Sequence, residues 1–203
     1  MAYRFGILML ALYSVLIIFF ELQFGQTYVR EYLSDIEGDV IFFAVNTTIT
    51  TVFLVLIAYN FILCLTLDRK KEKNTKKILP FLVFQSLLFL FLAMDERFMI
   101  HERMGYYLGF NDAYLLGAIG VFELVVLFSF KQLLWTKTLK TYSLYLGGLF
   151  FGIMILIDAF GGTNTILRLS FEDLSKTWAI FFLFVYSFEF YKLWQKEKNI
   201  ERI

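Results

Sequence analysis

Long apolar stretches alternate with short polar ones along the whole chain. A helix that crosses a bilayer needs about 20 mainly apolar residues, because the hydrocarbon core is about 30 Å thick. The pattern therefore predicts an all-α, polytopic integral membrane protein, with residues 1–203 forming a single domain of six transmembrane helices. The predicted spans are residues 5–24, 40–67, 78–94, 113–130, 141–160 and 177–193, and the third helix is expected to continue beyond its span to residue 103.

The segment between the first two spans, residues 25–39, has a different pattern. Apolar residues recur at helical spacing among charged ones, as in Tyr28, Val29, Tyr32 and Leu33. Such spacing is typical of an amphipathic helix that lies in the membrane interface. We expect this segment to lie on the outer surface.

The distribution of charge predicts the orientation. If the N-terminus is cytoplasmic, 14 of the 19 lysines and arginines lie on the cytoplasmic side, as the positive-inside rule requires. Both termini are then cytoplasmic, in a multi-pass protein of a bacterial inner or plasma membrane. The outer side keeps five basic residues and 13 of the 18 acids. A net negative face attracts cations, although it also follows simply from placing the bases inside.

Composition agrees with the pattern and excludes other classes. The chain is 59% hydrophobic with a mean hydropathy of +0.67. Its net charge of +1 does not indicate nucleic-acid binding, and a single cysteine, Cys64, excludes an intrachain disulfide. The expected partners are the lipid bilayer and other copies of the chain, because six short spans make a thin bundle.

Three acids are predicted to lie at one depth near the outer boundary of the membrane. Glu21, Asp95 and Asp158 each lie about 25 Å from the inner edge at 1.5 Å per residue. Each is also in the C-terminal half of its helix, where the helix dipole disfavours negative charge. A bound cation, a proton or an arginine from the outer face could compensate them.

Glu123 lies in the middle of the fourth span, with no other charge near it in sequence. An ionised acid at the bilayer centre costs about 2.5–3.5 kcal/mol on insertion scales. Gly117 and Gly120 lie on nearly the same side, which indicates close helix packing and an inward-facing carboxyl. Glu123 is either a proton or cation site along a path, or a protonated acid hydrogen-bonded to the Asn and Thr side chains of the second span.

Residues 93–103 carry the most concentrated chemistry in the chain. On a straight helix Asp95 and Glu102 share a face, and His101 joins them only if the helix ends or bends near it. His101 could act as an acid or base with Asp95 or Glu102 as its partner. The same three side chains could instead hold a divalent metal, with softer requirements than zinc. The remaining alternative is a solvated, salt-bridged helix end.

The same residues carry a resemblance. Phe91 to Met104 resembles the Asp-Glu-x4-His-Glu segment of a group of uncharacterised bacterial multi-pass membrane proteins, in which Asp95, Glu96, His101 and Glu102 match. The resemblance covers about fourteen residues and implies no activity. Membrane-embedded hydrolases of the alkaline ceramidase type have a similar Asp-Glu pair, but they use several histidines for zinc, and this chain has one.

Three functions remain open. The first is binding or permeation of cations or protons, with Glu123, Asp158, Glu21 and Glu96 along the path. The second is a membrane-embedded enzyme, with or without a bound metal, acting on lipid at the outer leaflet through His101, Asp95 and Glu102. The third is a non-catalytic accessory subunit of a membrane assembly or of a bacterial defence system.

Overall fold

The computed structural model describes residues 2–33, 44–67, 75–130, 141–161 and 166–200, and every regular element in them is an α-helix. Most of these helices are built from the apolar stretches, in which each backbone polar group is satisfied within its own helix. In chain order they are α1 (Ala2–Phe24), α2 (Gln26–Leu33), α3 (Val45–Leu67), α4 (Thr75–Phe98), α5 (Ile100–Leu108), α6 (Ala113–Ser129), α7 (Tyr142–Phe160) and α8 (Arg168–Ile200).

The core lies between α3, α4 and α8. Phe61 of α3 is 1% exposed, and its ring lies 6.1 Å from that of Phe81 on α4 and 5.8 Å from that of Phe190 on α8. Helix α7 packs on the other side of α8. A Cβ atom at Gly147 of α7 would lie 2.8 Å from a side-chain atom of Leu183, so the absence of a side chain permits this close approach.

The short helix α2 lies within residues 25–39, the segment predicted to lie on the outer surface, and it packs its apolar residues into the bundle. Val29 and Leu33 are both fully buried, in a cluster with Ile17 of α1 and Leu174 of α8. Residues 34–39 of the predicted interfacial segment, and residues 40–43 of the predicted second span, lie outside the described residues.

The third predicted helix continues past its span, but it does not reach residue 103 unbroken. Helix α4 ends at Phe98, and Met99 has φ 50° and ψ 47°, a left-handed conformation that is costly for a residue with a side chain. A new helix, α5, then starts at Ile100 and turns the chain away. Helix α5 extends to Leu108, so only a few residues separate it from α6.

Four of the described helices are long and apolar enough to cross a membrane: residues 3–24, 45–67, 78–98 and 142–160. Helices α5 and α6 meet at 119°, and the pair would add a fifth span if it crosses as one unit. The described residues thus confirm an all-helical protein with several helices long and apolar enough to cross a membrane. Helix α8 covers the predicted sixth span and extends well beyond it at both ends.

Candidate functional site

Buried polar side chains are concentrated at one end of the bundle, where α1, α4 and α7 end and α3 and α8 begin. We call this region the polar end. Its centre is Lys176 of α8, whose Nζ lies 3.0 Å from Oε1 of Glu96 and 3.1 Å from Oδ1 of Asp173. Thr50 of α3 donates a 2.7 Å hydrogen bond to the same oxygen of Glu96. One ammonium group therefore holds two carboxylates and connects three helices.

The electrostatics of this triad follow from its burial. The side chain of Glu96 is 8% exposed and that of Asp173 is 11% exposed. Burial alone would lower the pKa of Lys176, but the charges of Glu96 and Asp173 outweigh it and raise that pKa above its usual value. Burial raises the pKa of Asp173, and the neighbouring Lys176 only partly opposes the shift. Lys176 is therefore held as a cation.

Asn46 of α3 extends the network toward α1. Its side chain is fully buried, and its Oδ1 accepts hydrogen bonds from Thr177 at 2.6 Å and from the Tyr13 hydroxyl at 3.5 Å. Its amide donates a 3.4 Å hydrogen bond to the backbone oxygen of Asp173. A buried amide with partners on several helices fixes their relative rotation, because each lost hydrogen bond would leave a buried polar group unsatisfied.

Asp95 and His101 are brought together by the break at Met99. Asp95 is 3% exposed and accepts two hydrogen bonds from His101, one from the backbone N–H at 2.8 Å and one involving Nδ1 at 2.7 Å. A bond at Nδ1 leaves Nε2 as the nitrogen that can exchange a proton with another molecule. Burial lowers the pKa of His101, but the hydrogen bond and charge of Asp95 raise it overall. The helix therefore breaks between these two residues, which is the condition under which His101 was expected to join Asp95.

The third residue of the predicted metal set does not join this pair. Glu102 lies on the exposed side of α5, and no three His, Cys, Asp or Glu side chains in the described ranges are grouped closely enough to hold a metal ion. A divalent metal at His101, Asp95 and Glu102 stays a prediction.

Glu21 has partners supplied by the beginning of α8. Its Oε1 accepts the backbone N–H of Leu167 at 3.0 Å, and its Oε2 accepts a short hydrogen bond from the hydroxyl of Ser170. Leu167 has φ 65°, so the backbone turns sharply there before α8 begins. The carboxylate thus binds orphan donors at a helix N-terminus, which is where negative charge is favourable.

Asp158 is compensated by an arginine. The Arg168 guanidinium lies 3.2 Å from Oδ1 of Asp158 and 3.3 Å from Oε2 of Glu172. Burial, together with the charges of Asp158 and Asp173, raises the pKa of Glu172 to about 7, and Arg168 only partly opposes this shift. The three acids predicted to lie at one depth therefore have three different partners: a helix N-terminus for Glu21, His101 for Asp95 and Arg168 for Asp158.

Glu123 lies away from the polar end, between α6 and α4. The side-chain amide of Gln85, which is 2% exposed, donates a 2.6 Å hydrogen bond to Oε1 of Glu123. The second carboxyl oxygen, Oε2, is buried and has no hydrogen-bond partner among the described residues. The expected partners on the second span are thus replaced by Gln85 of the third.

Two residues of α8 continue this inner polar layer. The Tyr186 hydroxyl is buried, has no hydrogen-bond partner among the described residues, and lies within range of the charge of Glu123. The next residue, Ser187, accepts a 2.9 Å hydrogen bond from Asn60 of α3. Buried polar groups without partners are rare in proteins and mark places where a proton, a water molecule or an ion completes the site.

Sequence reasoning missed Gln85, Thr50 and the central role of Lys176. A signal existed for Lys176, since Asp173 lies three residues before it and such pairs meet on a helix. No comparable signal identified Gln85, because its position relative to Glu123 depends on how α4 and α6 are rotated.

The described residues form an all-helical protein with several helices long and apolar enough to cross a membrane and with polar side chains buried between them. The chain belongs to the family described as "Domain of unknown function (DUF8692)", whose members' shared domain matches residues 5–190. No curated protein and no solved structure shows a significant match.

Proposed function

We propose that the chain crosses the membrane six times with both termini cytoplasmic, and that it binds and passes protons or small cations at Glu123. The four helices that are long and apolar enough by themselves, the bent α5–α6 pair and α8 supply the six crossings. The excess of Lys and Arg in the predicted cytoplasmic segments supports the orientation. In this arrangement the polar end faces outward.

The observation that carries the proposal is the unpartnered Oε2 of Glu123. An ionised carboxylate inside an apolar bundle is costly unless donors surround both oxygens, and among the described residues only Oε1 has one. A proton or a cation on Oε2 removes that cost. A side chain that gains stability by taking up a proton, and that remains exchangeable, has the properties of a relay group in a membrane protein.

The other acids predicted along the path are less suited to binding a passing proton or cation. Glu21 and Asp158 are already satisfied by Ser170 and Arg168, so they are better suited to holding helices together than to binding a passing ion. Glu96 remains as a group at the polar end, where Lys176 holds it. The proposal therefore rests on Glu123, with Tyr186 beside it.

The test is flux in proteoliposomes. Purified protein is reconstituted, a pH or cation gradient is imposed, and dissipation is followed with an internal dye. We expect Glu123→Gln to abolish flux, because the amide keeps the size and accepts the bond from Gln85 but cannot exchange a proton. Glu31→Gln on α2 is the matched control and keeps wild-type flux.

Flux through Glu123→Gln equal to that of wild type would end the proposal, provided both proteins elute as single folded species. Absence of flux in wild type, with a tight seal shown by an added ionophore, would also end it.

A second function is favoured by the Asp95–His101 geometry. A histidine held through Nδ1 by a carboxylate at 2.7 Å has the arrangement of a general base, and hydrolysis of a membrane lipid is the reaction that its place at the polar end suggests. We expect His101→Asn to abolish any lipid turnover detected by mass spectrometry while the protein stays folded. Turnover that persists in this variant would exclude His101 as the base.

A further inference from the structure

A cavity of about 330 Å³ lies along one face of α5, lined by Met99, Glu102, Arg103, Tyr106 and Tyr107. These residues follow the spacing i, i+3, i+4, i+7 and i+8, so they form a single stripe on the helix. The volume is at the lower end of the range of about 300–1,000 Å³ seen for small-ligand pockets. Neither Glu123 nor the Lys176 triad contributes to it.

The cavity contains two opposite charges that do not neutralise each other. Glu102 and Arg103 make no ion pair with one another or with any other side chain in the described ranges. Elsewhere at the polar end the charges are paired, as with Lys176 and Glu96 at 3.0 Å. An open anion and an open cation in one cavity are complementary to a ligand that carries both charges.

Two tyrosine rings form the far wall. Tyr106 and Tyr107 are 85% and 83% exposed, their ring centroids lie 5.8 Å apart, and the rings are inclined by 72°. Aromatic faces and edges set at a steep angle provide two sides of a cage for an ammonium group, which is attracted to the electron-rich faces.

The position of the cavity indicates where the ligand comes from. A candidate membrane span ends at Phe98, and the cavity begins at the next residue, Met99. That level is occupied by lipid head groups, and tyrosine and arginine are side chains that suit it. The source is therefore the membrane rather than bulk water.

We propose that this cavity binds the head group of a zwitterionic phospholipid of the phosphatidylethanolamine type, with Arg103 on the phosphate and Glu102 and the two tyrosines on the ammonium. A primary ammonium donates hydrogen bonds to the Glu102 carboxylate and the tyrosine hydroxyls, whereas a quaternary choline cannot donate any. An anionic lipid without an amine would leave Glu102 unpaired beside the phosphate. The proposal does not rest on proton or cation passage at Glu123.

The experiment is native mass spectrometry of the full chain, delipidated in detergent and given equal amounts of phosphatidylethanolamine, phosphatidylcholine and phosphatidylglycerol. We expect preferential retention of phosphatidylethanolamine. Glu102→Gln should lower the preference for phosphatidylethanolamine over the other two lipids by on the order of tenfold. A hydrogen bond between charged groups changes a binding constant by about that factor. Arg103→Gln should weaken all three lipids, and Tyr142→Leu, a tyrosine 78% exposed at the start of α7, should change nothing.

Four results would each overturn the proposal: equal retention of all three lipids by the wild type, an unchanged preference in Glu102→Gln, undiminished retention of the three lipids in Arg103→Gln, or an equal loss in Tyr142→Leu. The same measurement is repeated with soluble phosphoethanolamine, which carries the head-group charges without the lipid chains. If it occupies the protein as tightly as the lipid does, the ligand is a free phosphoamine, and the assignment to a membrane lipid is wrong.

Discussion

Removing the ammonium group of Lys176 should reveal how much of the fold depends on the buried triad. Lys176→Met keeps the length of the side chain but leaves Glu96 and Asp173 as two carboxylates with no cation between them. Breaking a buried ion pair by removing one partner costs about 3–5 kcal/mol, because the remaining charge stays desolvated. We expect a loss in the free energy of unfolding of about that size at pH 8, measured by titrating micelles of the protein with SDS.

Two comparisons make the argument specific. Asp173→Asn removes the acid whose pKa burial already raises, and it leaves a one-to-one pair of Lys176 with Glu96, so it should cost much less than Lys176→Met. Lys192→Met on the same helix removes a cation 4.3 Å from the centre of the Phe188 ring, an exposed contact that contributes about 0.5–1 kcal/mol.

The stability loss in Lys176→Met should also depend on pH in a definite direction. In Lys176→Met the two carboxylates repel each other when ionised, and protonation relieves the repulsion. The folded state of the variant therefore binds protons more tightly than the unfolded state, and its stability falls as pH rises. The destabilisation should be clearly smaller at pH 5 than at pH 8. A loss below about 1 kcal/mol at pH 8, or a loss equal to that of Asp173→Asn, would refute the view that Lys176 holds the triad together.

Two further predictions concern the helix break and the helix contacts. Because the pKa of His101 is raised in the folded protein, its contribution to stability is present below the unfolded value near 6.5 and is lost as pH rises through the folded pKa. The melting temperature of wild type should fall over that interval, while that of Asp95→Asn should stay flat, and parallel curves would contradict this. Gly147→Ala should cost about 1–3 kcal/mol in the same SDS titration, because the new Cβ would lie 2.8 Å from Leu183. Gly148→Ala, where nothing lies within 4 Å, is its control, and equal losses would show that the α7–α8 approach is not tight.

The helices were predictable to within a few residues where the apolar pattern is sharp. Helices α6 and α7 begin and end within one residue of the predicted spans 113–130 and 141–160. The break at Met99 was not predictable, since nothing in its sequence favours a left-handed residue. It persists because Asp95 accepts two hydrogen bonds from His101, which offset a backbone cost of about 1–3 kcal/mol.

The candidate site was predictable as a set of residues and not as a set of contacts. Glu123, Asp95 and His101 were identified as candidates from their positions alone, because an acid in an apolar stretch and a lone histidine among acids stand out in any sequence. Their partners were not, and the expected polar partners of Glu123 on the second span instead bond to residues on α8 and α4. Thr50 bonds to Glu96, and Asn60 bonds to Ser187.

The sequence by itself determined that this is an all-helical protein with several helices able to cross a membrane, because length and apolar content are local properties of each stretch. Tertiary structure alone decided which buried charges meet. A carboxyl pairs with whatever lies across the helix interface, and that depends on the rotation and tilt of both helices. Gln85 therefore reaches Glu123, and Lys176 reaches Glu96, through packing that no single stretch of the chain encodes.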